Sequence, residues 1–158
     1  MKSNLISKTE TADVLREIVS QWKIDIPKIK NLKIYELDGG ARILIGEGLT
    51  ALKIGQNYLP FLTDLKILEK FPSVTVDMGA VKFMCNGANV MRPGVKSFTD
   101  FEKGQIVCIV EESQKKILAV GRALVSSSEM AEMAKGQVIE NMHYISDMYW
   151  EIKKSLKD

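Results

Sequence analysis

The chain has 158 residues, of which 46% are hydrophobic and 27% are charged, and its formal net charge is +2. This composition excludes disordered and collagen-like chains, and a chain of this length can bury a core without disulfide bonds. The longest apolar run is residues 106–110, so we expect no membrane span. Because near-neutral charge excludes a protein that coats nucleic acid by charge density, any basic surface must be local.

The N-terminus and the cysteines indicate the compartment. Residues 1–10 are polar and lack the apolar stretch and cleavage site of a secretion signal, so we expect a cytoplasmic protein. Cys85 and Cys108 form no C-x-x-C pair and His143 is the only histidine, so we expect reduced, buried cysteines and no metal site. No cofactor motif is present, and we expect no cofactor.

The first part of the chain predicts one helix followed by strands. Ser7 and Glu10 match a capping box, and apolar residues at helical spacing predict a helix over Lys8–Trp22. Turn residues separate three β-prone runs, which predict strands at 32–37, 41–45 and 49–54.

A second helical spacing marks a domain boundary. Residues 61–71 have apolar residues on one helical face, and Pro72 ends that helix. We therefore expect two domains, residues 1–72 and residues 73–158.

The second part is rich in strands. Asp77 is placed to cap a short helix over 77–85, and a further helix is predicted over 146–154. β-prone runs predict strands at 74–76, 105–111, 117–126 and 137–141. Gly121 lies in the middle of one of them, and the whole pattern favours a small closed barrel.

One window departs from the even charge distribution. Residues 78–99 contain Lys82, Arg92 and Lys96 and no acidic residue, interleaved with glycines. A phosphate backbone favours such a surface, because the cations are unopposed and glycine lets the main chain approach. The alternative is an ordinary solvated face whose glycines only make turns.

The same window resembles a known motif. The run VDMGAVKFMCNGANVMRPGV, residues 76–95, is similar to the signature of the PUA domain, an RNA-binding module. The likeness continues through GQIVCIV, LAVGRA and HYISDMYW and covers residues 73–150. The phrase GANVMRPG with the later His-Tyr most resembles the malignant T-cell amplified sequence protein family and its archaeal relatives.

The resemblance implies an α+β fold, with an N-terminal pre-PUA α/β module at 1–72 and a C-terminal PUA pseudo-β-barrel at 73–158. It implies a non-catalytic protein that binds structured RNA, tRNA or rRNA, in translation initiation or ribosome recycling. The implied partners are the small ribosomal subunit and a protein resembling the density-regulated protein, whose initiation-factor-like domain this chain lacks. An accessory subunit of an RNA-modifying enzyme and a protein scaffold without RNA binding remain alternatives.

By position, the resemblance implies one set of RNA-facing residues on the helix, on residues 87–94 that follow it and on a neighbouring strand: Lys82, Gly87, Ala88, Asn89, Val90, Met91, Arg92, Pro93, Gly94, Lys96 and Arg122. Arg92 offers a planar fork and Lys82 a point charge. Val90 and Met91 are either a platform for an unpaired base or part of the core.

Three other features of the sequence have simpler explanations than catalysis or RNA binding. We expect His143 to pack in the core, with Tyr144, Asp147 and Trp150 fixing the last element to the barrel. The spacing of Asp77 and Asp100 does not forbid a catalytic carboxylate pair, but helix capping is the better assignment for Asp77. The first helix has a mixed-charge face that is either solvated or a protein contact.

Overall fold

A computed structural model describes residues 1–156 of the chain. They form two compact units, Met1–Lys70 and a second that begins at Phe71. Both units mix helices with antiparallel strands, in agreement with the predicted α+β class. None of the helices within residues 1–156 has the length and apolar character needed to cross a bilayer.

The first unit contains a five-stranded antiparallel sheet whose strands lie side by side in chain order. The strands are β1 (Lys2–Leu5), β2 (Lys33–Glu36), β3 (Arg42–Gly46), β4 (Leu49–Ile54) and β5 (Asn57–Pro60). The three predicted strands are confirmed as β2, β3 and β4. The two edge strands were not predicted, and β1 gives no burial pattern because all four of its residues are exposed.

Helix α1 spans Lys8–Trp22, as predicted from its capping box. Ser7 Oγ accepts the N–H of Glu10 at 3.1 Å, and the helix ends where Lys23 adopts a left-handed φ of 57°. Trp22 is fully buried, and its Nε1 donates to the carbonyl of Tyr58 at 2.8 Å. This bond fixes the end of α1 to β5.

The predicted helix over 61–71 is wrong, because only α2 (Leu65–Leu68) is helical there. Phe61 instead continues the sheet, since its N–H donates to the carbonyl of Thr50 at 3.0 Å. Asp64 then accepts the N–H of Thr50 at 2.9 Å. Pairing with a distant strand therefore overrides the helical spacing of the first residues in this segment.

The second unit contains a six-stranded sheet in the order β7-β11-β10-β9-β6-β8, in which β6 and β9 are parallel and the other neighbours antiparallel. Its strands are β6 (Ser73–Val76), β7 (Val90–Met91), β8 (Val95–Phe98), β9 (Ile106–Glu111), β10 (Ile117–Ala123) and β11 (Gln137–Tyr144). The helices are α3 (Val81–Met84), α4 (Ser127–Ala131) and α5 (Met148–Ser155).

The predicted elements of this unit differ from the observed ones at their ends. The strand predicted over 117–126 ends at Ala123, and the strand predicted over 137–141 continues to Tyr144. The strands β7 and β8 and the helix α4, each five residues or shorter, were not predicted. The core lies inside the curved sheet and includes Val74, Val107 and Ile109.

Neither Cys85 nor Cys108 is part of a disulfide bond. Only Cys108 is buried, so the prediction of a buried Cys85 is wrong: this residue is half-buried at the end of α3. Burial raises the pKa of the Cys108 thiol to about 12, and the reactive thiolate is therefore scarce at pH 8. We expect Cys108 to resist iodoacetamide at pH 8 in the native protein and to react after unfolding in urea. Peptide mass spectrometry checks this, and rapid native labelling of Cys108 contradicts it.

Candidate nucleic-acid interface

The segment after β6 forms a short helical turn and then α3. Asp77 caps it, as predicted, with Oδ1 accepting the N–H of Ala80 at 3.0 Å. The same N–H also donates to the Asp77 carbonyl at 3.1 Å, which is the i to i+3 pattern of a 3₁₀ turn. The predicted helix over 77–85 is therefore a 3₁₀ turn at Met78–Ala80 followed by α3.

A groove of about 390 Å³ lies between this helical segment, the glycine loop (residues 85–89) and β7. Phe83 and Met91 lie along it and are 55% and 47% exposed, whereas Met84 and Val90 are buried. The groove is lined by Val76, Asp77, Gly79, Ala80, Phe83, Met84, Ala88, Asn89, Val90, Met91 and Gly94. Only two of these side chains are polar, so the groove offers an apolar surface with two polar groups.

Backbone N–H groups of the glycine loop, residues 85–89, donate to carbonyls at the end of α3. Gly87 has a φ of 87°, and a Cβ there would lie 2.9 Å from Cε1 of Tyr144, so glycine is required for conformation and for space. The N–H of Gly87 donates to the Met84 carbonyl at 3.1 Å, and the N–H of Ala88 to the Phe83 carbonyl at 3.0 Å. These two donors are not available to a phosphate.

Hydrogen bonds from strand β11 fix the position of the glycine loop. Asn141 Nδ2 donates to the carbonyls of Met84 and Ala88, each at 3.0 Å, and its backbone N–H donates to Asn89 Oδ1 at 2.9 Å. The register of β10 and β11 shifts between Val120 and Gly121, and Gly121 pairs with Asn141. The extra residue of the bulge, Met142, is thus next to Asn141, which anchors the loop.

The four predicted cations differ in their exposure to solvent and in their bonded partners. Lys82 and Lys96 are exposed, and Lys82 Nζ lies 5.6 Å from the ring centroid of Phe83. Arg92 is half-buried, and its Nε donates to the Met130 carbonyl at 2.7 Å. Within residues 1–156 none of these three forms an ion pair. Arg122 lies on β10 with Nη2 3.5 Å from Glu140 Oε1.

Only some of the predicted RNA-facing residues therefore line the groove. Ala88, Asn89, Val90, Met91 and Gly94 line the groove, whereas Lys82, Gly87, Arg92, Pro93, Lys96 and Arg122 do not.

The window without acidic residues in the sequence has acidic neighbours in space. Glu112, from the turn after β9, accepts the N–H of Met78 with Oε2 at 2.8 Å. The Asp77 carboxylate lies at the same end of the groove. This end is therefore unsuitable for a phosphate, and any phosphate contact falls to the exposed cations outside it.

Sequence reasoning missed three residues that form the site. Phe83 directly follows Lys82 in the window without acidic residues, and an aromatic side chain beside lysine is itself a signal of base stacking; in the structure Phe83 is exposed. Asn141 gives no signal in the sequence, and Gly121 stands out only as a glycine within a predicted strand, because the roles of both depend on cross-strand pairing.

His143 occupies a structural position. It is fully buried, and its Nδ1 lies 2.7 Å from Asp147 Oδ2. Asp147 also accepts the N–H of Tyr144 at 2.9 Å and that of Trp150 at 2.8 Å, so it caps α5 and fixes it to β11. In the part of the chain that the structure describes, no group of three or more His, Cys, Asp or Glu side chains is arranged to hold a metal ion.

Known proteins share this architecture and sequence. The PUA domain, an RNA-binding fold, matches residues 72–145. A PUA domain protein of Aeropyrum pernix has a TM-score of 0.84 at 24% identity, with 97% of this chain and 91% of that chain covered. A hypothetical protein of Pyrococcus horikoshii has a TM-score of 0.78 at 26% identity, with 96% and 99% covered. The family match and the fold therefore define a PUA-domain protein.

The sequence relatives identify the family. Translation machinery-associated protein 20 of Saccharomyces cerevisiae is 30% identical, covering 95% of this chain and 84% of its own length. Malignant T-cell-amplified sequence 1-A of Xenopus laevis is 33% identical, covering 85% and 79%. An uncharacterized protein of Methanocaldococcus jannaschii is 36% identical, covering 96% and 97%. The chain belongs to the family of the malignant T-cell-amplified sequence and translation machinery-associated 20 proteins, which confirms the resemblance.

Proposed function

We propose that this chain is a non-catalytic RNA-binding protein of the translation machinery, and that it docks structured RNA, tRNA or rRNA, on the groove beside α3. The observation behind this proposal is an apolar groove flanked in sequence by cations that form no ion pair within residues 1–156. Folded RNA displays unpaired bases and phosphates side by side, and these two kinds of group match the two parts of the surface.

The proposal divides the contacts by chemistry. The groove takes an unpaired base, which stacks against Phe83 or Met91, because apolar walls and the Asp77 carboxylate disfavour a charged phosphate. Lys82 and Lys96 meet the phosphates on either side. Arg92 also bonds the Met130 carbonyl, so it combines a structural role with a phosphate contact.

We further propose a cytoplasmic role in translation initiation or ribosome recycling, on the small ribosomal subunit and with a partner protein resembling the density-regulated protein. The family's names, which include translation machinery-associated protein 20, support this proposal. The pre-PUA module, residues 1–72, is the proposed site of protein contact. Capture of ribosomal subunits from a native lysate favours this role over that of an accessory subunit, which is expected to capture an RNA-modifying enzyme.

The phosphate contacts are testable through salt. We expect Lys82→Ala and Lys96→Ala each to reduce, by roughly one unit, the slope of log affinity for unfractionated tRNA against log salt concentration, because each removes one phosphate contact. Fluorescence anisotropy at several salt concentrations measures this slope. Arg92 is avoided because its loss also breaks the bond to Met130.

Lys103 provides the matched control. It is exposed and precedes β9, whose last residue, Glu111, pairs with Val76 beside the groove. Lys103 is thus at the opposite end of that strand, and Lys103→Ala is expected to leave the slope unchanged. Unchanged slopes in both the Lys82 and the Lys96 variants contradict the proposed face.

A further inference from the structure

Asn89 and Asp77 are the two residues with polar side chains among those that line the groove. Asp77 uses Oδ1 to cap the 3₁₀ turn and can only accept hydrogen bonds when ionised. Any hydrogen-bond donor from a groove side chain to a ligand must therefore come from Asn89.

The orientation of the Asn89 amide follows from its neighbours. The backbone N–H of Asn141 points at one end of the amide at 2.9 Å, and because an N–H can only donate, that end is Oδ1. The other end, Nδ2, donates one hydrogen to Gln137 Oε1 at 3.1 Å. Since an amide nitrogen carries two hydrogens, one donor on Asn89 remains.

The group that orients Asn89 is itself held in place. The side chain of Asn141 donates to the carbonyls of Met84 and Ala88, so its position is tied to the end of α3 and to the loop. A flipped Asn89 amide would place its NH₂ group against the Asn141 N–H, two donors facing each other, at the cost of that hydrogen bond. Asn89 therefore presents a donor of fixed orientation.

We propose that Asn89 is a specificity-determining residue, whose second Nδ2 hydrogen bonds an acceptor on the edge of the unpaired base in the groove. This inference rests on the proposed function. A ring nitrogen or carbonyl of an uncharged base fits this donor, whereas a phosphate oxygen brings a negative charge toward Asp77. Asn89 thus hydrogen-bonds the edge of the base, while the apolar residues around it pack against the face of the base.

The test is the substitution Asn89→Asp. Aspartate keeps an oxygen for the Asn141 N–H, and Gln137 can rotate its amide to donate to the second oxygen, so the loop keeps both bonds. The donor to the ligand is lost. Asn86→Asp is the matched control, because Asn86 is exposed on α3's side of the same loop and the variant gains the same charge.

The readout is the affinity for unfractionated tRNA at low and at high salt. We expect Asn89→Asp to bind roughly tenfold or more weakly than Asn86→Asp, and we expect the ratio to persist at high salt, because a lost hydrogen bond is not screened as a charge is. Equal affinities of the two variants overturn the role of Asn89 and leave the proposed function intact. Failure of the unchanged protein to bind tRNA overturns the proposed function and this inference with it.

A second measurement covers the case in which Asn89→Asp loses stability. In the unchanged protein, the side-chain amide resonances of Asn89 are expected to shift on addition of tRNA, while those of Asn31 in the first unit, whose Nδ2 donates to the Ile6 carbonyl, stay in place. Unshifted Asn89 amide resonances at saturating tRNA overturn the inference.

Discussion

Replacement of Gly121 by alanine is expected to unfold the second unit, with a loss of about 4 kcal/mol or more in the free energy of unfolding. A Cβ at this position would lie 2.2 Å from the carbonyl oxygen of Glu140 and 2.7 Å from Cγ2 of Ile139. The oxygen belongs to the backbone of β11, so relief requires separation of β10 from β11. Urea denaturation followed by circular dichroism measures the change.

The control for this substitution is Gly94→Ala. A Cβ at Gly94 meets only the Cβ of Ala80 at 3.9 Å, an ordinary contact, and its φ is outside the left-handed region. We expect a change within about 0.5 kcal/mol. Similar stabilities of the Gly121→Ala and Gly94→Ala proteins contradict the close approach of the two strands.

The substitution Asp147→Ala is expected to cost about 3 kcal/mol or more, because it removes one acceptor from three donors at once. The carboxylate accepts from the backbone N–H groups of Tyr144 and Trp150 and from His143 Nδ1, and both Asp147 and His143 are buried. We expect α5 to detach and Tyr144 to lose its fixed position against Gly87. A thermal melt measures the stability, and hydrogen exchange of the α5 amides locates the effect.

Asp100→Ala serves as the matched control for Asp147→Ala. Asp100 is an exposed aspartate of the same unit, so the same change of charge and size leaves no buried donor without an acceptor. We expect its melting temperature to stay close to that of the unchanged protein. Equal melting temperatures for the two variants contradict the anchoring role of Asp147.

The sequence predicted the elements whose signals are local. Helix α1 was predicted with its bounds because Ser7 and Glu10 match the capping-box pattern and the apolar face repeats over four turns. The turn residues at 38–40 located the hairpin between β2 and β3 for the same reason. The segment 61–71 was mispredicted because Phe61 pairs with Thr50, a contact that no window around Phe61 contains.

The residues of the candidate site also fall into two groups, those with a local sequence signal and those that only the fold brings together. The loop residues that line the groove were predicted because they lie in one continuous motif, residues 76–95, and so were its cations. Asn141 lies 53 residues beyond Ala88, and only the fold brings its amide to that carbonyl. The carboxylate of Glu112 was missed for the same reason, so the charge along the sequence overstated the positive character of the groove.

The hydrogen bonds from β11 to the glycine loop have a consequence for binding thermodynamics. The conformational entropy of residues 85–89 is lost when the domain folds, because Asn141 and the carbonyls of Phe83 and Met84 already fix the loop. A ligand that enters the groove then has little backbone left to order, so more of its contact energy remains as affinity. The groove is a preorganised surface, and its shape is maintained by a strand that need not touch the ligand.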